Sequence, residues 1–287
     1  MTDLLIIGKG PAGISAALYA LRANMKVTIV GKDTGALSQA HLIENYYGLA
    51  SPLEGTVLAE IGVKQAVALG AELIEEEILS LDFNEHFMVK TKARELTSTS
   101  LIMATGAARK KGNVPGIQDF EGRGLSYCAV CDGFFYRGKT VAVLGSGEYA
   151  LHEAQELVAI TGGVTILTNG QPLTVEVPPE IKVIELPVKK IFGEAHLEGA
   201  EFSDGSKQEF TGLFVALGSA SAADFARSIG ATIDGAKIIV DTNMQTNVPG
   251  LFAAGDCIGG TLQVAVAVGE GAKAGLSAIK YIREKRK

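Results

Sequence analysis

A strand, a glycine-rich turn, a helix and a second strand occur twice in this chain at the same spacing, and this duplication constrains the fold more than any other feature. The first copy runs Leu4-Leu5-Ile6-Ile7, then Gly8-Lys9-Gly10-Pro11-Ala12-Gly13, then a helix over 14–23, then Val27 to Val30. The second runs Thr140 to Leu144, then Gly145-Ser146-Gly147-Glu148-Tyr149-Ala150, a helix, and Val164-Thr165-Ile166-Leu167. Ile14, Ala17, Leu18 and Leu21 recur at helical spacing, as do Leu151, Ala154, Leu157 and Val158 in the second copy. The flanking β-branched runs suit parallel strands buried on both faces. In such a unit the glycines allow a tight turn, close approach of backbone to a pyrophosphate and close helix contact, while the helix N-terminus holds the negative charge. An internal duplication of a nucleotide-binding unit is expected.

The copies differ from a simple NAD site after their second strands. Val30 is followed by Gly31-Lys32-Asp33, so the acid for a ribose hydroxyl is either displaced to Asp33 or absent. Leu167 is followed by Thr168-Asn169-Gly170-Gln171-Pro172-Leu173, with neither that acid nor an arginine for a 2′-phosphate. Glu148 also brings a carboxylate to the second turn. The second unit therefore reads as a nucleotide domain that has lost its nucleotide.

Between the copies lies Tyr127-Cys128-Ala129-Val130-Cys131-Asp132-Gly133, holding two of the three cysteines. The Cys-x-x-Cys spacing suits a redox dithiol in which one thiolate is activated, with Asp132 placed to exchange a proton. A zinc half-site would need two further ligands, and Cys257, His41, His86, His152 and His196 offer no second close pair. Two unreactive cysteines are the other reading. Cys257 reads as a small core residue.

The 287 residues, 47% of them hydrophobic and 35 of them glycine, allow two close-packed α/β domains. A formal charge of −6 gives no basic face for nucleic acid. No apolar run approaches the roughly 18 residues of a membrane span, and the N-terminal stretch has no signal-peptide pattern, so a cytoplasmic dithiol protein is expected.

Several motifs together resemble the low-molecular-weight thioredoxin reductases, flavoproteins of the pyridine-nucleotide disulfide oxidoreductase superfamily. They are Gly8 to Gly13, Ile43-Glu44-Asn45-Tyr46-Tyr47-Gly48, Ala104-Thr105-Gly106, the Cys128 to Phe135 stretch, Gly212 to Gly218, and Gly250-Leu251-Phe252-Ala253-Ala254-Gly255-Asp256. The resemblance covers nearly the whole chain. It implies two Rossmann-like three-layer α/β domains of the FAD/NAD-linked disulfide reductase type, the second reduced in size. An FAD domain is expected over 1–109 and 221–287, and a dithiol domain over 110–220.

By the same resemblance FAD contacts Gly8, Gly10, Pro11, Ala12, Gly13, Lys32, Leu37, Asn45, Ala104, Thr105, Gly106, Gly255, Asp256, Gln263 and Val264. Cys131 faces the flavin, Cys128 attacks thioredoxin and Asp132 donates the proton. NADPH-dependent members place a cation cluster after the second copy's second strand, whereas residues 168–173 hold none and prolines 172, 178 and 179 stand where those members have a helix. The chain closely resembles the ferredoxin-dependent flavin thioredoxin reductases of clostridia, which implies ferredoxin as donor, thioredoxin as substrate, a homodimer and no tight NADPH binding. Another donor, weak NADH use through the surviving turn, and a flavin-dithiol redox sensor remain open. A swing about crossings at 109–116 and 218–223 is expected to expose the dithiol, with Arg109, Lys110 and Lys111 on the ferredoxin side.

Overall fold

The computed structural model describes residues 1–33, 35–40, 42–106, 114–127, 129–217 and 222–287, the side chains of Gln39, Val130 and Cys131 excepted. The chain forms two compact units, Met1–Arg109 with Ser221–Lys287, and Lys110–Ala220.

In the first unit, β1 (Thr2–Ile7) leads through the glycine turn into α1 (Pro11–Arg22) and β2 (Val27–Val30). After α2 (Gly55–Ala68) come β3 (Glu72–Ile74), β4 (Ile78–Asn84), β5 (His86–Thr91) and β6 (Glu95–Met103). The helix starts at Pro11, three residues ahead of the apolar pattern, because proline's fixed φ and missing N–H suit the first helical position.

The second unit holds β7 (Leu125–Ser126), α3 (Ala129–Asp132), β8 (Thr140–Leu144), α4 (Glu148–Val158), β9 (Gly163–Leu167) and β10 (Lys182–Ile184). It continues with β11 (Val188–Gly193), β12 (Leu197–Phe202), β13 (Lys207–Glu209) and β14 (Gly212–Val215). The chain then returns to the first unit with α5 (Ala222–Ser228), the short hairpin β15 (Ile233–Asp234) and β16 (Lys237–Ile238), β17 (Leu251–Ala253) and α6 (Val264–Lys285).

The first sheet has the order β3-β2-β1-β6-β5-β4. Its centre is parallel, with Leu4 opposite Val27 and Ile6 opposite Ile102, whereas β4 and β5 run antiparallel. The N-terminal half of β6 meets β5 and its last residues meet β17, which sets the ends of β1, β6 and β17 side by side. The second unit has an all-parallel sheet, β10-β9-β8-β14-β7, and an antiparallel three-stranded one, β11-β12-β13. Leu4 to Ile6 and Val141 to Leu144 are fully buried, as continuous apolar strands covered on both faces should be.

Small residues bring α6 onto α1. A Cβ at Gly271 would lie 2.1 Å from the Ala12 carbonyl oxygen, and one at Gly275 would lie 2.7 Å from that of Ala16, so the two backbones nearly touch. Among the described residues no helix is long and apolar enough to cross a membrane.

Candidate functional site

At the end of β1 the chain turns sharply. Gly8 has φ +111°, and a Cβ there would lie 2.2 Å from the Ala104 carbonyl oxygen. Only glycine meets both demands. Gly10 differs: among the described residues nothing beyond its chain neighbours lies within 4 Å of where its Cβ would be, so its missing side chain leaves open space. The helix behind it has no side-chain cap and no acid in its first turn, which leaves its N-terminal amides to an incoming anion.

Two further segments converge here. The Ala104 N–H donates to the Ile7 carbonyl at 2.7 Å, which sets Ala104, Thr105 and Gly106 beside the turn. Gly255, at φ +78°, stands so near α1 that its Cβ would be 2.9 Å from that of Ala12. Its N–H donates to Glu270 Oε2 at 2.9 Å. Burial pushes the neighbouring Asp256 carboxyl up, and burial followed by the Asp256 charge does the same to Glu270.

Asn45 Nδ2 donates to Gln263 Oε1 at 3.0 Å, and Gln263 precedes Val264, the first residue of α6. Residues separated by more than two hundred positions therefore meet. Leu37 lies in a 3-10 turn, Gly35–Gln39, whose Leu37 carbonyl is pressed against Gly55. Lys32 Nζ pairs with Glu77 Oε2 at 2.9 Å. An open glycine turn, an uncapped helix and an acid-bearing turn at the carboxyl ends of adjacent parallel strands fit an extended dinucleotide such as FAD.

Sequence reasoning passed over Lys9, Glu75 and Glu270. A long cation inside an otherwise small-residue turn was the available signal for Lys9; its ammonium pairs with Glu75 just past β3. No local pattern marks Glu270, whose partner is fifteen positions away.

Cys128 lies outside the described residues, as do Arg109, Lys110, Lys111 and the rest of 107–113 in the first crossing and 218–221 in the second. The backbone of Cys131 falls in α3. Asp132 ends that helix, and its Oδ2 accepts a 2.7 Å hydrogen bond from the buried Ser126 hydroxyl. Burial and then the Asp132 charge push the Tyr136 phenol up, which keeps it protonated.

The redox segment is held from α4. Glu153, only 6% exposed, accepts the Ala129 N–H at 2.6 Å, and the Tyr149 hydroxyl donates to the Tyr127 carbonyl at 3.3 Å. One helix thus grips the chain on both sides of position 128. Cys257 is a free, buried thiol that burial pushes up to about 12.

The second glycine turn repeats the first bond for bond. Gly8 N–H donates to Val30 O at 2.8 Å, and Gly145 N–H to Leu167 O at 3.0 Å. Ala104 N–H meets Ile7 O as Ala216 N–H meets Leu144 O, and a Cβ at Gly145 would be 2.2 Å from Ala216 O, the same clash as at Gly8. Beyond the turn the copies part. The N–H and hydroxyl of Thr174 both donate to the Ser146 carbonyl at 3.1 Å, so the chain folds back over the turn. Glu148 occupies the first turn of α4, and Asn169 Oδ1 ties the segment after β9 to the Val188 N–H at 2.8 Å. No helix forms between β9 and β10.

The family model of the pyridine nucleotide-disulphide oxidoreductases matches residues 2–271. The thioredoxin reductase of Aquifex aeolicus is 33% identical over 99% of this chain and 94% of its own length. Among solved structures, the atypical thioredoxin reductase TRi of Desulfovibrio vulgaris Hildenborough is 41% identical, covers 99% of both chains and superposes with a TM-score of 0.93. A ferredoxin-flavin thioredoxin reductase of Clostridium acetobutylicum is 28% identical, with 100% of this chain and 99% of that one covered and a TM-score of 0.75.

Proposed function

Since this chain belongs to the pyridine nucleotide-disulphide oxidoreductase family, and within it to the FAD-carrying thioredoxin reductases, we propose that reduced ferredoxin supplies its electrons in place of a nicotinamide nucleotide. Two ferredoxins give one electron each, two protons are taken up, and one thioredoxin disulfide becomes a dithiol. FAD, where bound, would supply the chemistry that turns single electrons into a pair of electrons for the dithiol. Cys131 is the sulfur that takes them, which opens the Cys128–Cys131 disulfide. Cys128 then attacks thioredoxin, and Cys131 resolves the mixed disulfide. Asp132, oriented by the Ser126 hydroxyl, supplies the proton to the departing thiolate. The turns at 8–13, 104–106 and 255–256 would hold FAD, together with Lys32, Leu37, Asn45, Gln263 and Val264. The first unit is the FAD domain and the second the dithiol domain.

The observation that carries the donor assignment is Thr174, whose N–H and hydroxyl are both bound to the Ser146 carbonyl within the second glycine turn. A pyrophosphate at that turn has to displace this segment. It would then meet the Glu148 carboxylate and a stretch, 168–181, with no Lys, Arg or His. Thermodynamics allows the alternative donor: iron–sulfur ferredoxins near about −400 mV and thioredoxin near about −270 mV differ by roughly 6 kcal/mol over two electrons. The Clostridium acetobutylicum relative provides a precedent for the donor class.

Anaerobic mixing of the oxidised holoenzyme with NADPH, NADH or reduced ferredoxin, watched by flavin absorbance, tests the reading. Ferredoxin alone is expected to bleach the flavin within seconds. Bleaching by micromolar NADPH at a comparable rate would refute it.

A further inference from the structure

In dinucleotide folds of this kind a carboxylate at the end of the second strand holds the adenosine ribose. Here the residue directly after β2 is Gly31, which has no side chain to offer. A Cβ at Gly31 would lie 3.2 Å from the Lys9 amide nitrogen and 3.3 Å from Lys9 Cγ, so the stem of Lys9 fills the space such a side chain would need. Lys9 is 7% exposed, and its ammonium donates to Glu75 Oε1 on a carboxylate that is 63% exposed.

The strands set Glu75 next to the vacancy at Gly31. Ile74 pairs with Val30, and the Gly31 N–H donates to the Ile74 carbonyl at 3.0 Å, so Glu75 leaves the same carboxyl edge of the sheet one strand over. The neighbouring acids are paired as well, Asp33 Oδ1 with the Gly35 N–H at 2.9 Å, Glu76 with Thr91 and Arg94, and Glu77 with Lys32. Of the four acids it is Glu75 that is paired with the side chain filling the Gly31 position.

We infer that Glu75, held by Lys9, takes the adenosine ribose hydroxyls of FAD in place of the missing second-strand carboxylate. The Lys9 bond uses Oε1 and leaves Oε2 to accept from a hydroxyl. Hydrogen bonding from Lys9, then its charge, holds the Glu75 carboxyl below the usual range, so it stays an acceptor throughout the working pH range. Lys9 thereby performs two tasks with one side chain: its stem closes the Gly31 position, and its head aims the substitute. The assignment rests on FAD occupying the first glycine turn and is independent of the electron donor.

The test is FAD affinity, read from the flavin fluorescence that appears when holoenzyme is diluted. Glu75→Ala is expected to raise Kd about tenfold, the low end for a charge-assisted hydrogen bond at an exposed site, with the bound-flavin absorbance spectrum unchanged. Lys9→Ala should weaken binding in the same direction. Adding Gly31→Glu to the Lys9→Ala, Glu75→Ala background returns a carboxylate to the second strand and should bring Kd back to within about threefold of the starting protein. In the otherwise unchanged protein Gly31→Glu should weaken binding, because Lys9 occupies its space. An unaltered Kd in Glu75→Ala overturns the inference. So does a loss that a carboxylate at position 31 fails to recover, since Glu75 would then act on the fold and not on the ribose.

Discussion

Gly8 and Gly10 are two residues apart in one motif, yet alanine at each should fail in a different way. At Gly8 the added methyl meets the Ala104 carbonyl oxygen at 2.2 Å, more than 1 Å inside the ~3.5 Å of an ordinary contact. Its φ of +111° adds a conformational cost of roughly 1–2 kcal/mol for any L-residue. Forced repacking adds about 1–3 kcal/mol. The lost flexibility of the unfolded chain offsets about 0.4–1 kcal/mol, leaving a net loss near 2–4 kcal/mol. At some 2–4 °C per kcal/mol, the flavin-free protein should melt about 5–15 °C lower. Gly10 has φ −80° and open space around its Cβ position, so alanine there should leave the melting of flavin-free protein unchanged or slightly raised. That space is the pyrophosphate's approach, so Gly10→Ala should instead lose FAD by at least about a hundredfold in Kd, the equivalent of about 2.7 kcal/mol. Calorimetry of flavin-free protein and FAD titration of both variants separate the effects. Equal destabilisation by the two substitutions, or unimpaired FAD binding by Gly10→Ala, would refute the reasoning.

Cys128→Ser and Cys131→Ser should each abolish thioredoxin reduction while FAD stays bound, and Cys131→Ser should trap thioredoxin as a mixed disulfide on a nonreducing gel. The Cys257 thiol, pushed up to about 12 and buried, should resist iodoacetamide at pH 8 in the folded protein, and Cys257→Ser should keep full turnover. Glu153→Ala strands the Ala129 N–H and should cost about 1.5–3 kcal/mol, seen as faster amide exchange in peptides spanning 126–133. Asp256→Asn should raise the melting point of flavin-free protein at pH 7. Burial raises the folded carboxyl, so ionisation weakens the folded state as pH rises from the unfolded value of about 3.9 through the folded one. The advantage of the variant should therefore fade as pH falls below about 4.

Much of the scaffold was legible because its signals are local. The apolar runs of β1, β2, β8 and β9 and the spacing of Ile14, Ala17 and Leu21 need no partner to be read. The first turn's glycines likewise declare themselves. What escaped depends on contacts between distant positions. Glu153 looks like any helical glutamate until α4 folds against α3 and its carboxylate reaches Ala129, twenty-four residues back. Glu75 is one of three consecutive acids, and only the register of β3 on β2 distinguishes it as the one beside Gly31. The Asn45–Gln263 bond joins two turns that the motifs named separately and that only the fold brings together.

The second glycine turn shows why a motif cannot settle its own function. Gly145 is required by the fold whether or not a nucleotide binds, since its Cβ would strike the Ala216 carbonyl just as a Cβ at Gly8 would strike that of Ala104. A glycine at that point therefore records how tightly a strand, a turn and a neighbouring strand must pass. It does not record a ligand. The discriminating positions are those where the fold makes no demand. Gly10 faces open space among the described residues, which is room that an incoming ligand can use. At the corresponding place in the second copy, Gly147 faces Thr174 Oγ1, 3.7 Å from its Cβ position, and the protein itself supplies the neighbour. The same three-residue pattern is thus an open cradle in one copy and a covered one in the other. The difference lies in a threonine twenty-seven residues downstream that no reading of the turn alone would have singled out.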